Sequence, residues 1–282
     1  MLDKLPANQY QVSKSAWNYN MKRIVPVMIL LGFLSCMDKF VPDNPIDPNN
    51  PNYLPPIITI ISSPAEGETI SSSSATFVFE GNESSMLYRT RFDDNNWSGW
   101  QNSTAKTFDY LDEGAHRFQL QGKYTTGDTS ATIEINFGVD AVLGPALMFY
   151  PRRHMTTQGS TVTFQVIAEE VYDLTGMEMV ISYNPAHIGV EAVRQGSLFT
   201  GFGDVVFFSE DQPGAGRLTI TCGIWGGELP SFTGTSAIAE IDVQLKIQDD
   251  TTLEFNGSEL LRDPNNDPII LLEVIGGYLQ NL

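Results

Sequence analysis

The chain is poor in cysteine, histidine and basic residues. Its 282 residues include two cysteines, three histidines and 16 basic residues against 34 acidic ones, which gives a formal net charge of −18. Two cysteines are too few for the disulfide framework of a small secreted domain. The histidines, His116, His154 and His187, lack the spacing of metal ligands. No basic stripe could neutralise phosphates, which excludes nucleic acid as a partner.

The sequence also lacks the patterns of common catalytic sites. There is no long helical periodicity, no glycine-rich phosphate loop and no histidine in a context that suggests a nucleophile and its base. A pair of glycosidase carboxylates stays open on sequence alone, since its members need only lie about 5 to 10 Å apart in space. Sandwiches as small as those predicted below rarely hold the deep cleft such chemistry needs. We therefore expect no enzyme and no cofactor.

One apolar run stands out, from Ile24 to Leu34. It follows Met21-Lys22-Arg23 and is followed by Ser35-Cys36. This order predicts a bacterial lipoprotein signal peptide over residues 21–36, with Cys36 as the lipidated residue. The run is shorter than the roughly 20 apolar residues that span a bilayer. We expect a membrane-anchored lipoprotein at the cell surface or facing the periplasm, although an ordinary secretory signal is the alternative. Residues 1–20 would then be an upstream segment.

The next residues, 37–56, are rich in proline and asparagine and have little that could pack. Six prolines lie between Asp38 and Pro56. This composition predicts a stiff, extended tether that holds the following domain away from the membrane.

Residues 57–140 predict a first β-sandwich, because short alternating runs are separated by Gly, Asn and Asp. Tyr88 to Trp100, followed by Phe108 to Phe118, resembles the immunoglobulin-like Y-Y-Y modules of bacterial surface and sensor proteins. The resemblance implies a spacer or interaction role. Trp97 and Trp100 are interpreted either as an exposed platform for a sugar ring or as plugs in the core. The predicted strands are Ile57–Ile61, Ala75–Phe79, Leu87–Phe92, Thr107–Leu111, His116–Tyr124 and Thr132–Phe137.

Residues 145–282 predict a second β-sandwich. From Gly159, apolar and polar residues alternate as in a half-buried strand. A second alternating run ends at Asn184-Pro185, because proline lacks the N–H that a ladder needs. Its inward residues would be Met177, Met179, Ile181 and Tyr183, and its outward residues Glu178, Val180 and Ser182. Cys222 alternates with polar residues too, which predicts a small buried hydrophobic residue.

Three segments of this half carry a resemblance to a known family. Gly159 to Val166, Asp173 to Pro185 and Val190 to Phe199 resemble, in order and spacing, the N-terminal half of a cohesin domain. One departure is Asn184, where cohesins usually carry Asp. The resemblance implies a jelly-roll-type sandwich that docks a dockerin module and is linked to polysaccharide degradation. It places the partner on the outward side of the strand with Glu178, Val180 and Ser182.

Three alternatives stay open. The chain could be a structural or adhesive surface lipoprotein without a specific ligand, or it could bind polysaccharide directly through Trp97, Trp100 and Trp225. Calcium is a third open question, because Asp263, Asn265 and Asp267 alternate as oxygen ligands do in calcium loops. The glycine and distal glutamate of such loops are missing, and a tight turn uses the same residues. A turn is therefore expected.

Overall fold

The computed structural model describes residues 42–202, 204–225 and 231–282. The predicted signal peptide, Cys36, residues 1–20 and residues 37–41 of the predicted tether lie outside the described residues. The chain divides into two compact units, Met1–Pro55 and Pro56–Leu282. Within the described residues, no helix has the length and apolar character needed to cross a membrane.

Residues 44–53 form consecutive turns, which corrects the prediction of an extended tether for this segment. The amides of Asp47, Asn50 and Tyr53 each donate to the carbonyl three residues earlier, over 2.8 to 3.1 Å. The side-chain oxygens of Asn44, Asp47 and Asn50 each accept from the amide two residues on. Asn and Asp stabilise such turns by bonding the backbone locally. These bonds outweigh the extended preference of the prolines between them.

The first β-body consists of seven strands in two sheets. One sheet has the order β1-β3-β5 and the other β2-β7-β6-β4. The sheets pack face to face, since Phe77 of the first and Phe118 of the second stack with ring centroids 3.8 Å apart. All six predicted strands are confirmed within a few residues. The strands are β1 Ile58–Ser62, β2 Thr69–Ile70, β3 Ser74–Gly81, β4 Leu87–Phe92, β5 Ala105–Asp109, β6 Gly114–Lys123 and β7 Ile133–Val139.

The second β-body contains the remaining thirteen strands. They are β8 Ala146–Tyr150, β9 Arg153–Thr156, β10 Thr161–Leu174, β11 Gly176–Tyr183, β12 Ile188–Gln195, β13 Asp204–Gln212, β14 Arg217–Trp225, β15 Phe232–Leu245, β16 Thr251–Phe255, β17 Leu260–Arg262, β18 Pro268–Ile269, β19 Glu273–Ile275 and β20 Gly277–Asn281.

Two sheets form this second body and enclose one core. A five-stranded sheet has the order β12-β15-β10-β8-β19, and an eight-stranded sheet has the path β13-β14-β11-β16-β20-β9 with β17 and β18 beside it. The core joins both sheets, with Phe164 and Ile241 from the first and Met179 and Ile220 from the second fully buried. The chain is thus an all-β protein, as predicted from its alternating patterns.

The two bodies meet through direct contacts within the unit Pro56–Leu282. The carboxylate of Asp112 accepts the amide of Arg152 over 2.6 Å. The rings of Tyr110 and Tyr278 stack with centroids 4.8 Å apart. The first body therefore holds the second through both polar and aromatic contacts.

Candidate docking surface

The outer face of the eight-stranded sheet is built by β13, β14, β11 and β17. Inward residues of these strands form the core, so every second residue points outward. The strand register places Phe208, Thr221 and Glu178 side by side, and Leu260 lies next to Glu178. This surface, the docking face, comprises Val206, Phe208, Glu210, Thr219, Thr221, Trp225, Glu178, Ser182 and Leu260.

The docking face is rich in exposed apolar side chains. Val206 is 50% exposed, Phe208 57%, Leu260 48% and Trp225 71%. Single exposed apolar residues are ordinary on protein surfaces, whereas several on one sheet face mark an interaction surface. The face is made of paired strands rather than loops.

Of the three residues predicted on β11, Glu178 is exposed and Ser182 is half-buried. Val180 is only 1% exposed, so the prediction that it contacts a partner is wrong. Thr219 of β14 pairs beside it on one side. On the other side the chain leaving β16 turns, and the amide of Asn256 donates to the Val180 carbonyl over 3.0 Å. A short branched side chain between two such neighbours has no room to reach solvent.

A shallow groove of about 430 Å³ opens at one end of the docking face. Gly176 and Gly223 pair directly across the strands there, so no side chains rise from the outer surface at this point. Leu260 and Arg262 line its opposite side. The hydroxyl of Thr175 lines the groove as well and is buried without a hydrogen-bond partner in the protein.

The outer face of the five-stranded sheet differs sharply from the docking face. Its central charges are paired, since Arg194 binds Asp242 through two bonds of 2.5 and 2.8 Å. Thr163 donates to the same carboxylate over 2.7 Å. Hydrogen bonds from Arg194 and Thr163 lower the pKa of Asp242 to about 2. This face pairs its central charges, and it also exposes the side chains of Tyr150 and Tyr172.

The edge strand β13 is tied to β11 on the core side. The hydroxyl of Tyr183 donates to Asp211 over 2.5 Å. Burial and this bond to a carboxylate raise the pKa of Tyr183 above its ordinary value. The contact spans the intervening strand β14 and fixes the end of β13. A fixed edge strand keeps Val206 and Phe208 in place for a partner.

The tryptophans do not form a row of open rings. Trp225 is exposed on the docking face, but Trp97 and Trp100 lie half-buried on the first body. Their ring faces are covered by cations, with the Arg89 guanidinium 4.7 Å from each ring centroid. Both earlier interpretations of this pair, sugar platform and core plug, are therefore wrong. An aromatic side chain whose faces are covered cannot stack on a sugar ring.

Asp263 serves the turn between β17 and β18. Its carboxylate accepts the amides of Asn265 and Asp267 over 2.9 and 2.8 Å. Asn266 takes the left-handed conformation with φ of 65°. This is the geometry of the expected tight turn. Among the described residues, no group of three or more His, Cys, Asp and Glu is arranged to hold a metal ion.

The other predictions for the second body concern its core. Met177, Met179, Ile181 and Tyr183 are all buried, as predicted. Cys222 is buried as well, and this burial raises the pKa of its thiol to about 12. Such a thiol stays protonated and unreactive at neutral pH.

Sequence reasoning missed six side chains of the docking face, of which Val206, Phe208 and Leu260 are apolar. The run from Val205 to Phe208 is apolar on both sides of the strand, which hides the alternation. Val205 and Phe207 pack against the core while Val206 and Phe208 face solvent. The available signal was the cluster of four apolar residues in an otherwise polar stretch.

The comparisons with known proteins found matches among solved structures only. No protein-family model matches the chain. No curated protein matches it. A non-cellulosomal cohesin from the hyperthermophilic archaeon Archaeoglobus fulgidus is 15% identical, covers 49% of this chain and 90% of its own, and has a TM-score of 0.41. The third cohesin of ScaC from Acetivibrio cellulolyticus, solved in complex with the ScaB dockerin, is 12% identical over 49% of this chain and 98% of its own, with a TM-score of 0.43. The OlpA cohesin from Clostridium thermocellum, solved in complex with Doc918, is 10% identical, covers 49% of this chain and 98% of its own, and has a TM-score of 0.43.

Proposed function

We propose that this protein is a lipid-anchored extracytoplasmic binding protein whose second β-body docks a dockerin-type protein module on the docking face. The observation that carries the proposal is the group of exposed apolar side chains on neighbouring strands of the docking face. Val206, Phe208 and Leu260 are each about half exposed there. The cohesin-like segments at residues 159–166, 173–185 and 190–199 support a dockerin as the partner.

The docking face has the composition of a protein interface. Its apolar side chains lie on two flanks, with Phe208 on the edge strand β13 and Leu260 on β17. The polar residues Thr221 and Glu178 lie between these flanks. The apolar flanks would lose water on contact, while the polar groups between them would set orientation. The groove at Gly176 would receive a protruding partner side chain.

Anchoring and biological setting extend the proposal. Lipidation of Cys36 would fix the chain to a membrane, and residues 37–56 would link the anchor to the β-bodies. A dockerin-bearing enzyme captured in this way would act on polysaccharide close to the cell. Docking requires no catalytic group in this chain, and we propose none.

The proposal is tested by calorimetric titration of the native chain and its variants with dockerin-bearing proteins encoded in the same genome. Glu178→Arg reverses a charge on the docking face and should weaken binding by about tenfold or more. Glu191→Arg makes the same change at an exposed position of β12, outside the docking face, and should leave affinity unchanged. Equal affinity of the Glu178 variant and the native chain would show that another surface binds.

Absence of binding to every such protein would instead favour the structural or adhesive lipoprotein. A pull-down from the native secretome, combined with a glycan array, separates these outcomes. A sugar ligand captured through Trp225 alone would appear on the array and be lost in Trp225→Ala.

A further inference from the structure

Five side chains of the first β-body alternate cation and tryptophan on the outer face of β4 and β6. The guanidinium carbon of Arg91 lies 5.1 Å from the Trp97 ring centroid. The guanidinium carbon of Arg89 lies 4.7 Å from both Trp97 and Trp100. The ammonium of Lys123 completes the row at 4.6 Å from Trp100. This cation ladder therefore places three positive charges in line, with a tryptophan between each neighbouring pair.

Neutral amides, rather than carboxylates, hold the arginines in place. Arg89 donates through Nε and Nη2 to the Gln121 amide oxygen over 3.0 and 2.6 Å. Arg91 donates through Nε to the Gln119 amide oxygen over 2.5 Å. Within the described residues, no carboxylate forms an ion pair within 4.0 Å of either arginine or of Lys123. The positive charges of the ladder are thus fixed in position without a directly paired carboxylate, and Glu134 reaches Arg91 only through the Gln119 amide, which donates to the Glu134 carboxylate over 2.7 Å.

Donors remain on the solvent side of the ladder. In the described part of the chain, Nη1 of Arg89, both Nη atoms of Arg91 and Nζ of Lys123 have no hydrogen-bond acceptor in the protein. The chain has 34 acidic residues against 16 basic ones, so a neighbouring carboxylate would be easy to place. Fixed cations with free donors bind carboxylates strongly, because charge-assisted hydrogen bonds form without further ordering of the side chains.

The local backbone explains the tryptophans but not the charges. β4 is the edge strand of its sheet, and Tyr88 exchanges two backbone hydrogen bonds with Gln101 there. The segment carrying Trp97 and Trp100 thereby covers an edge that would otherwise be open to pairing. Neutral side chains over the rings would serve that purpose equally well. Covering the strand edge therefore does not explain the three positive charges, whereas binding of an anionic ligand would explain them.

The shape of the ladder favours one class of ligand, a thin anionic chain. A bilayer or a nucleic-acid duplex is broad and would also meet the acidic remainder of a protein of net charge −18. Single-stranded nucleic acid and neutral sugars both need open aromatic faces, which the cations cover here. Asn96 is exposed next to Trp97 in the chain, and its amide can bond hydroxyl groups.

We propose that the cation ladder binds an acidic polysaccharide, whose carboxylates pair with Arg91, Arg89 and Lys123 in turn. The site lies on the first β-body and is separate from the docking face. It would let the protein hold an acidic glycan while its second body holds a protein partner.

The probe is an oligomer of polygalacturonate, and the control ligand is the same oligomer with its carboxyl groups reduced to alcohols. The full chain carrying Cys36→Ser is used, so that a lipid anchor cannot itself bind vesicles. Arg91→Gln combined with Lys123→Met keeps both side-chain stems over the tryptophans and removes two charges. At low salt we expect a loss of affinity of about fivefold to thirtyfold, as for two exposed charge pairs. Arg91→Lys combined with Lys123→Arg should retain most of the affinity.

Matched controls separate the ladder from general charge. Lys106→Met with Lys246→Met removes two charges outside the ladder and should leave affinity unchanged, as should Phe208→Ala on the docking face. For the native chain, affinity should fall as salt is raised, which tests the proposal even if a ladder variant unfolds. Equal binding of the reduced oligomer, no binding of polygalacturonate, or ladder-dependent binding only to phosphatidylglycerol vesicles would each overturn the proposal.

Discussion

Phe208→Ala is the most direct test of the docking face. The side chain is 57% exposed on the outer surface of β13. A phenylalanine presents about 150 to 250 Å² in total, so roughly 100 Å² is available for a partner. At about 25 cal/mol per Å², covering that area contributes about 2.5 kcal/mol, which is roughly a seventyfold change in Kd. We therefore expect Phe208→Ala to weaken docking by one to two orders of magnitude.

The same variant should leave folding stability almost unchanged. The core side of β13 is formed by Val205 and Phe207, which the variant does not alter. Tyr183 and Asp211 continue to hold the end of the strand. Surface substitutions of this kind usually change the free energy of unfolding by about 0.5 kcal/mol or less. Affinity and stability should thus separate in one variant.

Calorimetric titration with a dockerin-bearing protein, together with thermal unfolding, measures both quantities. Tyr172→Ala is the matched control, because Tyr172 is an aromatic residue that is 69% exposed on β10 of the other sheet. Its removal should change neither Kd nor Tm. Native affinity in Phe208→Ala, with loss of affinity in Tyr172→Ala, would show that the partner docks on the five-stranded sheet.

Three further predictions concern residues that stabilise the two β-bodies or lie in their cores. Burial lowers the pKa of His116, but hydrogen bonds to the Asp93 carboxylate and a backbone carbonyl outweigh burial, so the pKa of His116 in the folded chain is raised. The stability that this shift contributes is full below the unfolded pKa of about 6.5 and is lost as pH rises through the folded pKa. The Tm of the native chain should therefore fall across that pH range, and the Tm of His116→Gln should not. Cys222 should resist iodoacetamide at pH 8 in the folded chain and react once the chain is unfolded in urea; rapid labelling of the native protein would contradict its burial. Gly216→Ala should lower the free energy of unfolding by about 1 to 3 kcal/mol, measured by urea titration, because φ is +60° and the new Cβ meets the Tyr183 carbonyl oxygen; an unchanged midpoint would contradict this backbone geometry.

The strands of the core could be predicted because each has one face in water. In β11 the alternation of Met177, Met179 and Ile181 with other residues predicted their burial, and it failed only at Val180, which is apolar and buried too. The strand β4 was predicted with its observed bounds for the same reason. Short strands such as β2, with two residues, carry no periodicity and were missed. The immunoglobulin-like assignment and the domain boundaries at residues 57–140 and 145–282 stay predictions.

The tryptophan segment shows a different limit of sequence reasoning. Trp97 and Trp100 were weighed as exposed or as core, since aromatic residues are usually one or the other. Their actual environment depends on Arg89 and Lys123, which lie on two strands that pair only in the folded sheet. A ladder built across strands has no fixed spacing in the sequence. Its members can be identified only once the register is known.

The part of the docking face on β13 was hidden from the sequence because its outward residues are apolar. Prediction by alternation expects the outward residues of a strand to be polar, and it therefore passed over Val206 and Phe208. On β11 the strict period of two placed Val180 outward, although its side chain is buried. An interaction strand violates the expectation of polar outward residues, because its outer face must be apolar enough to exclude water from a contact. A strand with two apolar faces is then either buried on both sides or uncovered on one side. In β13 the second case holds, since it is an edge strand whose Val206 and Phe208 are about half exposed. Loss of alternation in an edge strand of a small sandwich therefore indicates an uncovered apolar face rather than a deeper core.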